Sequence, residues 1–182
     1  YKEAVIPYLN KLDKKAKNIG AINTIKITKK GKLKGYNTDY YGFKKAIKPH
    51  LKSHHNKALI LGTGGASKAI AYALKKMNIE YTFVSRKPSK KATYIYDELS
   101  KNHIKTYSII INCTPLGTHP NVEECPNIPY AFITKKHVLF DLIYNPKETK
   151  FLSLGKEKNA TTINGLSMLI FQANKAWKIW NK

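Results

Sequence analysis

The sequence has 182 residues, of which 42% are hydrophobic and 11% aromatic, so it is long enough to bury the core of one or two domains. It contains no apolar run near the roughly 20 residues of a membrane span and no visible signal peptide, and its two cysteines fit neither a metal site nor a disulfide framework. The formal net charge is +22, which makes an anionic ligand or a nucleic acid a partner to consider. Together these features predict a cytoplasmic protein with no metal and no membrane contact.

The lysines are spread over the whole chain rather than concentrated in one arm. Pairs such as Lys44-Lys45, Lys75-Lys76 and Lys90-Lys91 stand where solvated helix faces are expected. A nucleic-acid-binding module predicts clustered basic residues with interleaved aromatics, which is a different pattern. We therefore predict a solvated basic surface and no nucleic-acid partner, with a field that favours anionic cofactors and substrates.

The first 48 residues contain helical and strand patterns. Residues 1–19 predict a helix, because apolar residues recur near helical spacing up to a possible stop at Gly20. Residues 21–28 alternate as a strand, and residues 33–36 return as a second strand, which predicts a hairpin. Thr38 or Asp39 is a suitable N-cap for a helix that ends near Ile47. The polar residues 49–56 are interpreted as a linker and a domain boundary.

Strands and helices then alternate, which is typical of an α/β fold with a parallel sheet. Strands are predicted over 57–61, 81–85, 92–96, 108–113, 138–144 and 160–163, and helices over about 66–77, 97–107, 148–158 and 165–180, with a loop at 115–129. The apolar face predicted for the last helix consists of Leu166, Leu169, Ile170, Ala173 and Trp177.

A glycine-rich turn joins the strand at 57–61 to the following helix. Gly62 allows a tight bend, Gly64 lets backbone amides approach a pyrophosphate, and Ser67 replaces the third glycine of the usual dinucleotide pattern. The helix N-terminus would hold the phosphates. The predicted cradle comprises Gly62, Thr63, Gly64, Gly65, Ala66 and Ser67. The alternative is a tight turn without a ligand.

The next strand ends in Ser85-Arg86-Lys87, about 20 residues past the glycines, where an acidic residue would select NAD. This tip has no acid, and its two cations favour the 2′-phosphate of NADP. The alternative is a basic loop on a basic protein.

Several polar residues stand at the ends of elements, and each has a structural interpretation as well as a functional one. Lys2 would ordinarily be solvated, Asp39 would cap a helix, Tyr144 would be core and Gln172 would be exposed. Asn23 is unusual inside a strand. Spacing alone does not assign a catalytic role to any of these residues.

Six stretches resemble the shikimate/quinate dehydrogenase family, in the order that family has them and over nearly the whole chain. They are Gly20-Ala-Ile-Asn-Thr, Gly35-Tyr-Asn-Thr-Asp, Gly62-Thr-Gly-Gly-Ala-Ser, Ile111-Asn-Cys-Thr-Pro-Leu-Gly, Asp141-Leu-Ile-Tyr-Asn-Pro and Asn164-Gly-Leu-Ser-Met-Leu-Ile-Phe-Gln-Ala. The resemblance implies an α/β fold in which a Rossmann-like parallel sheet binds NADP, beside the remnant of an α/β substrate-binding domain. The implied division is 1–48 for the substrate domain, 49–163 for the NADP domain and 164–182 for a helix that packs back on the substrate domain.

The resemblance also implies residue roles. Lys2 and Asp39 match the catalytic lysine and its aspartate partner, and Lys2, Asn23, Asp39, Tyr144 and Gln172 match substrate-binding positions. The phosphate loop matches residues 62–67, with Ser85, Arg86 and Lys87 at the ribose and Thr114, Leu142 and Gly165 near the nicotinamide. The family usually has Asn-Arg-Thr at the ribose, so here the arginine is kept and its neighbours differ.

The implied reaction is the NADP-dependent, reversible reduction of 3-dehydroshikimate to shikimate, a step of chorismate and aromatic amino acid biosynthesis. Lys2 would donate a proton or stabilise oxyanion charge, and Asp39 would orient the hydroxyl. The implied assembly is a monomer or a homodimer.

Tyr1-Lys-Glu is interpreted as a cut N-terminus, because the family's N-terminal segment, with its serine pair for the substrate carboxylate, is absent. We therefore expect weak shikimate binding. The alternatives are a quinate-preferring paralogue, an inactive truncated form and a cationic nucleic-acid-binding module. A methylenetetrahydrofolate dehydrogenase is a further rival, but that enzyme lacks this combination of Asn-Thr-Asp and a glutamine-bearing last helix.

Overall fold

A six-stranded sheet and a three-stranded sheet form the scaffold in the computed structural model, which describes residues 1–88, 90 and 92–181. The strands are β1 Lys11–Leu12, β2 Thr24–Ile27, β3 Leu33–Tyr36, β4 Lys57–Leu61, β5 Glu80–Ser85, β6 Tyr94–Ile95, β7 Ile109–Asn112, β8 Val138–Asp141 and β9 Thr161–Ile163. The α-helices are α1 Lys14–Ile19, α2 Asp39–Ile47, α3 Gly65–Lys75, α4 Lys101–Thr106, α5 Lys150–Glu157 and α6 Leu166–Trp180. Short 3₁₀ turns lie at Ile6–Tyr8, Lys48–His50, Tyr96–Glu98 and Tyr130–Phe132.

The larger sheet has the strand order β6-β5-β4-β7-β8-β9, and each adjacent pair is parallel. Strands β4, β7 and β8 are almost wholly buried because helices cover both faces, which agrees with their continuous apolar sequences. The strand order reverses between β4 and β7, and ligands of such sheets bind outside the strand ends at that point. The predicted α/β fold with a Rossmann-like parallel sheet is confirmed.

The core lies on both faces of this sheet. One face packs under α2 and α3 and includes Phe43, Ile70 and Phe140, with the Phe43 and Phe140 rings edge to face at 5.0 Å. The other face packs under α4 and α5 and includes Ile104 and Phe151. Burial on both sides fixes the register of the strands. The candidate site forms at their carboxyl ends.

The prediction of one helix over residues 1–19 is wrong. Asn10 accepts a hydrogen bond from the amide of Leu33 through Oδ1 at 2.7 Å, and β1 then pairs in parallel with β3. Only after Asp13, whose side chain accepts from the amide of Lys15, does α1 begin. The apolar spacing resembled a helix, but pairing with a distant strand determines the conformation before Asp13.

The hairpin of β2 and β3 is confirmed as antiparallel, and Gly20 ends α1 with a left-handed φ of 70°. Thr38 is the N-cap position of α2. The helix predicted over 97–107 divides into a 3₁₀ turn and the short α4.

The apolar face predicted for the last helix lies on the surface. Its five members are all exposed, whereas Met168 and Ala176 are buried. Helix α6 packs on α2 through the side that carries Met168 and Ala176. There, a Cβ on Gly42 would come 2.5 Å from the Met168 carbonyl oxygen. Close backbone approach at a glycine therefore selects the buried side of α6, and the wider apolar stripe stays on the surface.

The lysine positions agree with a solvated surface. Lys45, Lys75, Lys76 and Lys90 are exposed and Lys44 is half-buried, whereas Lys91 lies outside the described residues. Within the described residues, no helix is both long enough and apolar enough to cross a membrane, and no group of His, Cys, Asp or Glu side chains could hold a metal ion.

Candidate active site

The glycine-rich turn lies where the strand order reverses. The Gly62 amide extends the ladder by donating to the Val84 carbonyl at 2.8 Å, and the Cys113 amide donates to Leu61 at 2.9 Å. Gly62 has a φ of 101°, which a side chain would strain, and a Cβ there would come 3.2 Å from Thr114 Cγ2. The turn that joins β4 to α3 is therefore tight, and it packs against the residues that follow β7.

The following residues form a cradle at the start of α3, which is open at Gly64 and has Lys2 and Glu3 against Gly65. Gly64 is extended and exposed, with nothing within 4 Å of where a Cβ would stand. Ser67 is buried and its hydroxyl donates to the Gly64 carbonyl at 2.7 Å, which fixes the bend. The first amides of an 11-residue helix face this space, and helix N-termini bind phosphate. Thr63, Gly65 and Ala66, half-buried, complete the cradle.

The tip of β5 stands beside the cradle, because Val84 pairs with Leu61 of β4. The Ser85 hydroxyl donates to the Lys87 carbonyl and turns the chain, so that Arg86 and Lys87 are exposed. This tip presents two cations and no carboxylate. Cradle and tip together fit a dinucleotide that carries a 2′-phosphate.

A second polar group forms where the two sheets meet. Lys2 Nζ donates to Asp39 Oδ2 at 2.6 Å, and Asn23 Nδ2 donates to Asp39 Oδ1 at 2.8 Å. The Lys2 side chain is 41% exposed and the Asp39 side chain 8%, so the lysine is the accessible member of the pair. The Lys2 carbonyl accepts from the Ile22 amide at 2.7 Å, which holds the lysine segment against the residues just before β2. Asn23 lies in this segment and not inside the strand, as its sequence position had suggested.

Thr38 and Gln172 extend the polar group onto α6. Gln172 Oε1 accepts from Thr38 Oγ1 at 3.1 Å and from Asn23 Nδ2 at 3.3 Å. The Thr38 amide donates to Asn23 Oδ1 at 2.8 Å. Gln172 is thus half-buried and tied to the group, although it stands beside a predicted apolar face. Sequence reasoning treated Thr38 only as a helix cap and missed its hydroxyl.

The polar group and the dinucleotide edge open onto one crevice of about 370 Å³. Predicted site residues supply most of its lining, which consists of Lys2, Asn23, Asp39, Ala66, Leu142, Tyr144, Gly165, Met168, Leu169 and Gln172. The structure does not bring every predicted residue to this crevice, because Thr114 lies over Gly62 and residues 85–87 lie at the β5 tip.

Gly165 and Tyr144 shape the far wall of the crevice. A Cβ on Gly165 would come 2.1 Å from the Leu142 carbonyl oxygen, and the Gly165 amide donates to Ile143 at 2.9 Å. The start of α6 therefore packs directly on the segment that follows β8. Tyr144 is 49% exposed on the rim rather than in the core.

Charged and polar groups below the crevice affect one another. Burial, with a smaller contribution from the carboxylate of Asp141, raises the pKa of the Cys113 thiol, and Lys2 opposes the shift. Burial raises the pKa of Asp141 to about 6, although hydrogen bonds from Thr149, Ile143 and Asn112 act against it. Sequence reasoning assigned no role to Asn112, Asp141 or Thr149, which stood within predicted strands or a predicted helix.

Tyr96 follows β6 and has an unpaired polar atom. Its hydroxyl is buried and lacks a hydrogen-bond partner among the described residues. Burial raises the pKa of Tyr96 to about 12, with a smaller rise from Cys113 and a lowering by Arg86.

No family model matches the chain. A relative from Clostridium botulinum named shikimate dehydrogenase (NADP(+)) is 42% identical over 188 residues, which cover 99% of this chain and 72% of the relative. The crystal structure of shikimate dehydrogenase from Aquifex aeolicus has a TM-score of 0.87 and 38% identity, covering 99% of this chain and 68% of that one. The enzyme from Thermus thermophilus in complex with NADP(H) and shikimate has a TM-score of 0.85 and 29% identity, covering 98% and 69%. By identity and coverage, the chain belongs to the shikimate dehydrogenase family.

Proposed function

We propose that this protein is an NADP-dependent oxidoreductase that interconverts 3-dehydroshikimate and shikimate. The observation that carries the proposal is the crevice, in which Lys2, Asp39 and the amides of Asn23 and Gln172 face Ala66 and Leu142 of the dinucleotide edge. A polyhydroxylated ring needs several fixed donors and acceptors, and a hydride acceptor must lie next to a dinucleotide.

NADP is the proposed cofactor. The cradle at residues 62–67 would hold the pyrophosphate, and Arg86 and Lys87 would hold the 2′-phosphate. The relatives support this assignment, since the C. botulinum enzyme is named for NADP(+) and the T. thermophilus enzyme was solved with NADP(H). Thr114, Leu142 and Gly165 are proposed to stand near the nicotinamide.

The Lys2–Asp39 pair is proposed to carry the proton chemistry. When bound, NADPH would supply the hydride to the ketone carbon. Lys2 would hold a proton at the ketone oxygen and stabilise the negative charge that develops there. Asp39 Oδ2 accepts a hydrogen bond from the Lys2 ammonium at 2.6 Å, and Asn23 Nδ2 donates to Oδ1 of the same carboxylate. These two bonds restrict the orientation of the Lys2 side chain.

The other assignments rest on the same family. We propose that residues 1–48 and the helix at 164–182 form the substrate side and that residues 49–163 form the cofactor side. The substrate, shikimate or 3-dehydroshikimate, would be the partner. A monomer or homodimer and a cytoplasmic location stay predictions.

The test follows shikimate-dependent NADP⁺ reduction by the nicotinamide absorbance, with the wild type and Lys2→Ala. We expect turnover in Lys2→Ala to fall by about 100-fold or more, as for loss of a general acid or base, while NADP⁺ affinity stays near the wild-type value. Lys57→Ala is the matched control, since Lys57 is 39% exposed and pairs with Glu80 at 3.2 Å away from the crevice. Near-normal turnover in Lys2→Ala would remove this role from Lys2.

Two outcomes would replace the proposal. Turnover with quinate but not with shikimate would make the protein a quinate dehydrogenase. Duplex DNA binding that persists at physiological salt, without NADP⁺ binding, would make it a cationic nucleic-acid-binding module.

A further inference from the structure

Two buried polar residues lie side by side at the carboxyl edge of the six-stranded sheet. Asn112 ends β7 and Asp141 ends β8, and the two are partners in the strand register. Both are fully buried, and Asn112 Nδ2 donates to Asp141 Oδ1 at 3.1 Å. Burying a carboxylate is costly unless donors satisfy it, so its partners indicate what it holds in place.

Asn112 holds the loop that follows β7. Its Oδ1 accepts from the Thr114 amide at 3.0 Å and from the Thr114 hydroxyl at 2.6 Å. Its Nδ2 also reaches the Leu116 carbonyl at 3.4 Å. The conformation of Thr114, which lies over Gly62, is therefore set by the Asn112 side chain.

Asp141 holds the loop that follows β8. Its Oδ1 accepts from the Ile143 amide at 3.0 Å, and its Oδ2 accepts from the Thr149 hydroxyl at 2.6 Å. Thr149 also caps α5, and its Cβ lies 3.3 Å from where a Cβ of Gly117 would stand, so it contacts both loops. Leu142 is thus fixed between a restrained Asp141 and a restrained Ile143.

All donors to the carboxylate are matched to its two oxygens. An amide in its place could keep its oxygen toward Asn112 and Ile143 only by turning its NH₂ group toward the Thr149 hydroxyl, which would have to accept instead of donate. Such a substitution also removes the negative charge that strengthens these hydrogen bonds.

We propose that the Asn112–Asp141–Thr149 network is a positioning device that holds Leu142 in the wall of the crevice and Thr114 beside it, over Gly62, as supports for the nicotinamide. The inference rests on the proposed function, because it takes Thr114 and Leu142 as neighbours of the nicotinamide. The hydrogen bonds described for the network lie within residues 112–149, and Thr114 meets the cradle by packing over Gly62. The network should therefore affect the reacting end of the cofactor more than the adenosine end, which Arg86 holds.

The test compares Asp141→Asn, Thr149→Val and Thr149→Ser in the full chain. Adenosine 2′,5′-bisphosphate affinity reports on the adenosine end, the fluorescence of bound NADPH reports on immobilisation of the nicotinamide, and kcat reports on geometry. We expect Asp141→Asn and Thr149→Val to lose the fluorescence enhancement and about 100-fold in kcat, with bisphosphate affinity within about twofold of wild type. Thr149→Ser keeps the hydroxyl and should restore both signals.

Thr82→Val is the control, because it removes a hydrogen bond to Tyr107 in the same sheet away from this edge. Parallel loss of bisphosphate affinity and fluorescence, or unchanged fluorescence and kcat in Thr149→Val, would overturn the inference and leave the proposed function standing. If the wild-type chain bound neither nucleotide, the proposed function would fail and the inference with it.

Discussion

At the scale of single residues, the buried hydroxyl of Tyr96 lies where its side chain packs against the core under α4 and α5. It has no hydrogen-bond partner among the described residues, and a buried polar atom without one costs about 1–3 kcal/mol. Tyr96→Phe should therefore raise the free energy of unfolding by about 1 kcal/mol, measured by urea titration.

Tyr130→Phe is the matched control, since Tyr130 packs against the same core cluster but donates to the Pro126 carbonyl at 2.8 Å. That substitution should lower stability. A Tyr96→Phe protein that is less stable than the wild type would show that the hydroxyl has a partner.

The carboxyl of Asp141 makes stability depend on pH. Its pKa is about 6 when folded, against 3.8 when solvated, because burial favours the protonated form. The folded chain therefore holds a proton that the unfolded chain releases between these values, so this contribution is complete below about pH 3.8 and is lost as the pH rises through about 6. Cys113 and Tyr130 interact with this carboxylate but have raised pKa values, so neither titrates in this range.

Asp141→Asn removes this titration. Between pH 4 and pH 7 the wild type should lose about 2–3 kcal/mol relative to Asp141→Asn, since one pKa unit corresponds to about 1.4 kcal/mol. Unfolding free energies of both proteins across this range give the measurement. A difference that stays constant with pH would contradict the raised pKa.

At the scale of elements, the contact between α2 and α6 depends on the absence of a side chain at Gly42. A Cβ there would come 2.5 Å from the Met168 carbonyl oxygen and 2.9 Å from Gln172 Cβ. Gly42→Ala should push α6 outward, cost about 1–3 kcal/mol of stability, and raise the KM for shikimate, the proposed substrate, because Gln172 moves with the helix. Urea titration and steady-state kinetics measure the two effects.

Lys45→Ala is the control for this helix, because Lys45 is exposed on α2 and its truncation changes helix propensity without adding an atom between α2 and α6. If Gly42→Ala were as stable and as active as Lys45→Ala, the helices would have room that the structure does not show.

At the scale of the whole molecule, the net charge of +22 opposes folding through self-repulsion. Raising the salt from about 0.01 M to about 0.1 M shortens the Debye length from about 30 Å to about 10 Å, so the urea midpoint should rise. Substituting Lys29, Lys30 and Lys32 by Gln, in a groove that Lys11 and Lys34 also line, should raise the midpoint at low salt. The two proteins should converge at high salt, and a midpoint independent of salt would contradict this account.

Sequence predicted the parallel sheet better than the elements around it. The strands β4, β7 and β8 are recognisable in the sequence because both of their faces are buried. Most of their residues are therefore apolar and form continuous apolar runs. The start of the chain was mispredicted because β1 forms by pairing with residues 23 positions away, which periodicity does not reveal. Sequence alone did not reveal which side of α6 is buried, since Gly42 on another helix allows the close approach of that side.

The candidate site divides in the same way. Family motifs pointed to Lys2, Asn23, Asp39 and Gln172, which the structure joins through hydrogen bonds. Thr38 and the Asn112–Asp141–Thr149 network were missed, because the partners of their side chains are fixed only by the folded chain.

The hydrogen bond between Asn23 and Gln172 joins residues that are 149 positions apart. Closing so long a loop is slow and costs entropy, so contacts within the six-stranded sheet should form first. During synthesis, Asn23, Thr38 and Asp39 leave the ribosome long before Gln172 is made. The polar group of the crevice is therefore expected to be completed last, and a nascent chain stalled before α6 should have an ordered cradle but an unfinished substrate wall.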